Sequence, residues 1–264
     1  MKISISFLIF AFFLSNLFSE KLSILTIEEA PSSYIEIQNG KKIVKGFVVD
    51  FVKEIQKEIG DSTTIEILPE ARVFQKAVNE PNIIFFSFSR TPEREDSFYW
   101  ITPVIRKPWT FYGKKDSGIK INILSDLHKV NCIGVVRGDV REGWLKTNGF
   151  SNVEDVTRHE QNLRKLMLDR ITLIFYEPQG LAYLCNLLDY SINDIEPVFT
   201  PYVSDVYIAI SKNGTSQELV DKWKDAANKL KDIGVFRRIA EEWSSYIWNE
   251  YKIKCDVSDE VLGF

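Results

Sequence analysis

The run SFSRTPERED, residues 87–96, sets three hydroxyls, a proline and two arginines between an apolar strand and a charged turn. Thr91 reads as a helix N-cap, Pro92 as the first helical position and Glu93 as part of the first turn. Arg94 then falls at a helix start, where unpaired backbone N–H groups already make a positive end. An anion arriving there would relieve that conflict. Ser87 and Ser89 share one face of the preceding strand, because strand side chains alternate. Hydroxyls, helix-end N–H groups and a guanidinium would converge at one strand end. Such a cluster suits a planar anion, which arginine grips with two parallel hydrogen bonds. A surface pair between Arg94 and Asp96 or Glu93 accounts for the same residues equally well.

The chain as a whole narrows the choice. Of its 264 residues, 33 are Lys or Arg and 37 are Asp or Glu, a formal net charge of −4. A mildly acidic balance without basic runs argues against nucleic-acid binding. Residues 1–19 carry Lys2, a short apolar run and a polar, small-residue end, the pattern of a cleavable secretory signal. The run is short for a membrane span, with an uncleaved anchor as the alternative. Cys132, Cys185 and Cys255 are too few and too widely spaced for a disulfide framework or a zinc site. At most one pair could form in an exported chain. With only His128 and His159 present, a histidine-rich metal centre is excluded, and no cofactor is expected.

These residues need a scaffold, and the periodicities supply one. KLSILTI alternates as a strand, and GFVVDFVKEIQKEIG puts Phe47, Val48, Phe51, Val52, Ile55 and Ile59 on one helical face before a Gly60 cap. TTIEIL, ARVFQKAVNE and NIIFFSFS continue the series as strand, helix and strand. A second series runs from CIGVV through a helix over residues 139–148, a weak strand near Val153, the helix HEQNLRKLMLD, the strand ITLIFYE and the helix PQGLAYLCNLLD. Two long extended stretches, FYWITPVIRKPWTFYGKK and IEPVFTPYVSDVYIAIS, are suited to carry the chain between two lobes. Thr215 and Glu218 read as a capping box opening a helix, and a last helix carries Phe236, Ile239, Ala240 and Trp243. The expected architecture is α/β, with two lobes, each a mixed sheet flanked by helices. Residues 20–112 plus 205–264 form one and residues 113–204 the other. Such a fold places its ligand in the interlobe crevice.

The S-x-S-x-T-P-E-R-E run followed by an aromatic-Trp-x-x-Pro segment resembles the bacterial solute-binding proteins of family 3, the amino-acid-type receptors of ABC importers. The opening ILTIEEAPSSY…NGKKIVKGFVVDFVKEI, and later GVVRGDV and LDRITLIFYEP, are similar to the family's elements in the same order. The resemblance covers essentially the whole chain after the signal. It implies a type II periplasmic-binding-protein fold, a periplasmic location, a monomer, a small polar solute as ligand and an ABC permease as partner. It also implies ligand contacts at Ser87 and Ser89, Arg94 on a ligand carboxylate and Glu177 on an α-ammonium. Arg72 falls at a cleft-lining position, with a solvated helix charge as the alternative. Glu177 opening the helix at Pro178 is the alternative to that role, and Trp109 could stack on a ligand or merely pack between the lobes.

Some residues depart from the family pattern. Asp139 stands where many relatives have a threonine at a helix start. Glu29 lies near the acidic first-lobe position, and Tyr34 is the nearest aromatic to the usual lid. Glu29, Asp139 and Glu177 together predict an acidic cleft and put an ordinary α-amino acid in doubt. Solute capture without chemical change is the leading expectation. An exported enzyme on the same scaffold, dehydratase-like, or a ligand-sensing component is the alternative, with the acidic residues as acid and base.

Overall fold

The structure, a computed structural model, describes residues 22–264. The signal expected over residues 1–19 lies outside the described residues. The first unit begins with β1 (Ser23–Thr26), a hairpin of β2 (Tyr34–Gln38) and β3 (Lys41–Lys45), and α1 (Phe47–Ile59). β4 (Ile65–Ile67), α2 (Glu70–Asn79) and β5 (Ile83–Ser89) follow. After a short 3₁₀ turn, β6 (Phe98–Lys114) leads into β7 (Ile133–Val136), α3 (Val140–Thr147), β8 (Val153–Val156), α4 (His159–Met167), β9 (Leu173–Tyr176) and α5 (Pro178–Leu187). β10 (Ile195–Ser211) returns to α6 (Gln217–Asp232), α7 (Val235–Tyr251) and a terminal hairpin, β11 (Asp256–Ser258) and β12 (Val261–Gly263).

β6 and β10 are the two expected crossings, and they pair antiparallel along nearly their full length, from Phe98↔Ser211 to Lys114↔Ile195. Around this ribbon the main strand path runs β4-β1-β5-β10-β6-β9-β7-β8. β1 is parallel to β4 and β5 on one side, and β7 is parallel to β8 and β9 on the other. The antiparallel ribbon set into parallel βα series makes the sheet mixed.

Alternation sorts the strand residues into cores on both faces. Ile24, Ile84, Phe86, Ile208 and Ile210 pack with α1, α6 and α7, while Leu25, Ile83, Phe85 and Ala209 pack with Val73 and Ala77 of α2. Burial on both faces is why β5 reads as one continuous apolar run. In the second unit Leu173 and Phe175 face one core, and Ile174 and Tyr176 the other. Ile105 packs in the first unit, but Trp109, Phe111 and Tyr112 already pack in the second. The outgoing crossing therefore contributes side chains to both cores, on either side of Lys107.

Local sequence explains most element ends. Gly60 caps α1 in the left-handed conformation at φ 70°, its N–H bonding back to Gln56 and Lys57. At the other end Gly46 has φ 134°, and a Cβ there would lie 2.2 Å from the Ser32 carbonyl oxygen. Only glycine lets the Pro31–Ser32 backbone approach closely enough to accept from the Phe47 and Val48 N–H groups. Two expected caps differ. Ser216, not Thr215, caps α6 by accepting from the Leu219 N–H at 3.3 Å; Thr215 instead accepts from the Asn82 N–H at 2.8 Å. Thr91 sits at a cap with extended backbone, but its side chain makes no capping bond and Pro92–Ser97 forms a 3₁₀ turn, not an α-helix. All three cysteines are free thiols, so no pair forms.

Candidate functional site

A cavity of about 650 Å³ opens between the two units, where strands of both series end. Glu29 follows β1, Glu70 follows β4, Ser87 and Ser89 close β5, Asp139 follows β7, His159 follows β8 and Glu177 follows β9. Side chains at the carboxyl ends of parallel strands define the ligand crevice of this architecture. Lys107 and Trp109 enter from the β6 crossing. Of the sequence candidates, Arg94, Ser87, Ser89, Glu177, Asp139, Tyr34, Glu29 and Trp109 line this cavity together. Arg72 does not: it is exposed on α2, outside the lining.

The serines are bound within the protein's own network. Ser87 has φ 71°, unusual for a residue with a side chain, and sits at a register shift between β5 and β10. That kink breaks simple alternation and turns its hydroxyl to within 3.1 Å of Ser33 Oγ and 3.3 Å of Thr26 Oγ1. Ser89 Oγ lies 2.8 Å from Ser204 Oγ on the crossing. Trp109 is buried, edge-on to Phe175 and tilted against Tyr202, so it is both cavity wall and core.

Arg94 has a different environment from every other lining cation. Its guanidinium lies over Phe74 and Phe88, at 4.9 and 5.6 Å from the ring centres, and donates to the Ser89 carbonyl at 3.3 Å. Among the described residues no carboxylate lies within ion-pair distance of it. Neither surface partner suggested by the sequence is engaged; Glu95 pairs with Arg90 instead. Burial pulls Arg94 below its ordinary pKa, although the charges of Glu70, Asp139 and Glu93 act against this.

The acidic residues are not free, which corrects the expectation of an acidic cleft. Lys107 Nζ lies 3.0 Å from Glu29 Oε1 and 3.2 Å from Glu177 Oε2. Arg141 donates to Glu177 Oε2 at 2.6 Å and forks onto Asp139, with Nε to Oδ1 at 2.8 Å and Nη2 to Oδ2 at 2.5 Å. Asp139 also caps α3 through the Arg141 N–H, as its position implied. His159 stacks on Tyr176 at 3.9 Å with Nε2 3.6 Å from Asp139. Burial opposes the charges of Lys107 and Arg141, but their carboxylate partners outweigh it and hold both cations above their ordinary values. Burial and the Glu177 charge raise Glu29 well above the carboxylate range. Glu177, against the same burial, is held far below by Lys107 and Arg141. Among the described residues, the second oxygens, Glu29 Oε2 and Glu177 Oε1, are buried without a hydrogen-bond partner. Burial and Arg141 lower His159 to about 4, so it is neutral at pH 7. Burial and Asp139 lift Glu70 to about 7.

Lys107 and Arg141 were missed by sequence reasoning, yet Arg141 carried a signal. It lies in the first turn of α3, a cation at a positive helix end, as Arg94 was expected to be. Lys107, inside an extended apolar-aromatic crossing, had no comparable mark.

A two-lobed α/β scaffold whose crossing strands support a polar, inward-facing cleft defines a solute-binding protein. The chain belongs to the bacterial extracellular solute-binding proteins, family 3, whose family model matches residues 22–245. It is 23% identical over 210 residues to an arginine-binding periplasmic protein of Mannheimia haemolytica, covering 79% of this chain and 85% of that one. Among solved structures, an ArgBP variant from T. maritima superposes with a TM-score of 0.69 at 17% identity, over 86% of this chain and 96% of that one. A substrate-binding protein of an ABC uptake transporter from Streptococcus pneumoniae with bound histidine gives 0.70 at 16%, over 85% and 92%. A histidine kinase sensor domain with similarity to periplasmic binding proteins gives 0.73 at 15%, over 85% and 96%. These likenesses establish the fold. No helix among the described residues is long and apolar enough to cross a membrane.

Proposed function

We propose that the protein works in the periplasm as a monomeric receptor, delivering an amino acid or related small polar solute to an ABC permease without altering it. The observation that carries this reading is Arg94, a half-buried guanidinium facing a 650 Å³ cleft with no carboxylate in ion-pair range among the described residues. A desolvated cation with spare donors is a receptor for a ligand anion, and burial strengthens each charge-assisted bond it makes. Ser87, Ser89, Tyr34 and Trp109 supply the walls. The lobes in this reading are residues 20–112 plus 205–264 and residues 113–204, joined by β6 and β10, with β6 lending side chains to both cores. Closure about the β6–β10 ribbon sequesters the solute and presents the closed face to the permease. The arginine- and histidine-binding relatives support the amino-acid class.

The test is a thermal-shift screen of amino acids, polyamines, organic acids and small peptides. A true ligand at about 100 times its Kd adds about 2.7 kcal/mol of stability by linkage and is recovered chemically intact. Product accumulating from a bound compound would make the protein an enzyme.

A further inference from the structure

We propose that Glu70 receives the ammonium group of the solute while Arg94 holds its carboxylate, so that the two side chains clamp a zwitterion between them. This deepens the solute-binding reading and rests on it. Glu70 stands in the first turn of α2 and Arg94 in the 3₁₀ turn after β5, and both line the cavity. Of the opposite charges acting on each, the other is the strongest. Yet among the described residues neither has an ion pair, and Glu70 has no hydrogen-bond partner. Opposite charges that act on one another without touching leave a gap, and a zwitterion fills it with a charge-assisted bond at each end.

The other lining acids are less open to a ligand. Asp139 gives both oxygens to the Arg141 fork, while Lys107 holds Glu29 Oε1 and Arg141 holds Glu177 Oε2. Glu29 Oε2 and Glu177 Oε1 have no partner, but both atoms are shielded from water, so an ammonium reaches them only by shifting the network. Glu160 pairs with Arg158, and Glu28 is exposed. Glu70 is half-buried and faces the cavity. A carboxylate in the first turn suits the positive end of α2, but a fully solvated one would serve that purpose. Burial and the Asp139 charge instead make the ionised form of Glu70 costly, lifting its pKa to about 7, and a ligand cation beside it would remove that cost.

The experiment is calorimetry at pH 5.5 and pH 8 on the purified protein and on Glu70→Gln, with matched pairs: L-phenylalanine and 3-phenylpropionate, L-glutamate and glutarate, L-arginine and 5-guanidinopentanoate. At pH 8 at least one amino acid should bind about tenfold or more tightly than its desamino partner, and Glu70→Gln should bring that ratio to within about threefold of one. In the natural protein the ratio should fall about fivefold or more at pH 5.5, where the ammonium must displace a proton from Glu70. Around Glu70, Arg94, Arg141 and Lys107 stay cationic across this window and Asp139 stays anionic, while His159, near 4, stays neutral. An advantage that survives in Glu70→Gln overturns the proposal and moves the ammonium to Glu29 and Glu177, leaving the receptor reading standing. A desamino acid that binds as tightly as its amino acid at pH 8, in every pair that binds, also overturns it. If no member of any pair binds, the proposal fails, while the receptor reading stands or falls with the wider screen.

Discussion

Arg141 and Glu177 form a buried pair, Nη1 to Oε2 at 2.6 Å, each side chain almost wholly shielded from water. Glu177 also receives Lys107, which reaches Glu29 on the far side. The chain Glu29–Lys107–Glu177–Arg141–Asp139 therefore runs across the cleft floor from the loop after β1, through the crossing, to α3. Another tie joins the helices, where Asn186 of α5 donates to the Glu250 carbonyl of α7 at 3.3 Å.

Lys107→Met should destabilise the protein by about 3–5 kcal/mol at neutral pH, since it strips the cation from two buried carboxyls. Urea unfolding followed by tryptophan fluorescence measures this. A loss under about 1 kcal/mol, with an unchanged denaturant slope, would mean the network adds little beyond filling space.

Arg94→Ala should weaken binding of any anionic ligand found in the screen by about 2–5 kcal/mol while leaving the empty protein's melting temperature nearly unchanged. Among the described residues no carboxylate is ion-paired with Arg94, so folding has little to lose. Arg94→Lys should recover only part of the affinity, because an ammonium does not reproduce the planar two-bond grip. Calorimetry beside a melting curve separates the two effects. Normal binding by the alanine variant would remove Arg94 from the site.

Glu70 gives a pH signature. Its folded pKa is raised to about 7 by burial and by Asp139, with Arg94, Arg141 and Lys107 acting in opposition. A carboxyl raised on folding contributes stability below its unfolded pKa, near 4.5, and loses that contribution as pH climbs toward 7. Glu70→Gln should therefore become progressively more favourable relative to the natural protein between about pH 4.5 and 7, because glutamine stays neutral. His159, held near 4, works in the opposite direction over much of this window in both proteins, so the comparison cancels it. Chemical denaturation at pH 5 and pH 7.5 decides the matter, and a pH-independent difference would place Glu70 in an ordinary solvated setting.

The sequence by itself determined the order of elements and the cleft positions that local chemistry marks. Apolar periodicity decides which face of α1 is buried, and Gly60 and Asp139 act as caps through backbone geometry a few residues away. Strand alternation and the run of βα units place Glu29, Ser89 and Glu177 at strand ends, and hence at one crevice. Partnership across the fold was decided only by tertiary structure. Arg72 and Arg94 were both candidates for the cleft, but α2 leaves Arg72 exposed while the 3₁₀ turn lays Arg94 over Phe74 and Phe88. Three acidic residues predicted an acidic cleft because the sequence does not show that Lys107, 78 positions from Glu29, would arrive between Glu29 and Glu177. Charge at a site is a sum over neighbours in space, and in a low-dielectric interior each neighbour within a few ångströms outweighs the local sequence.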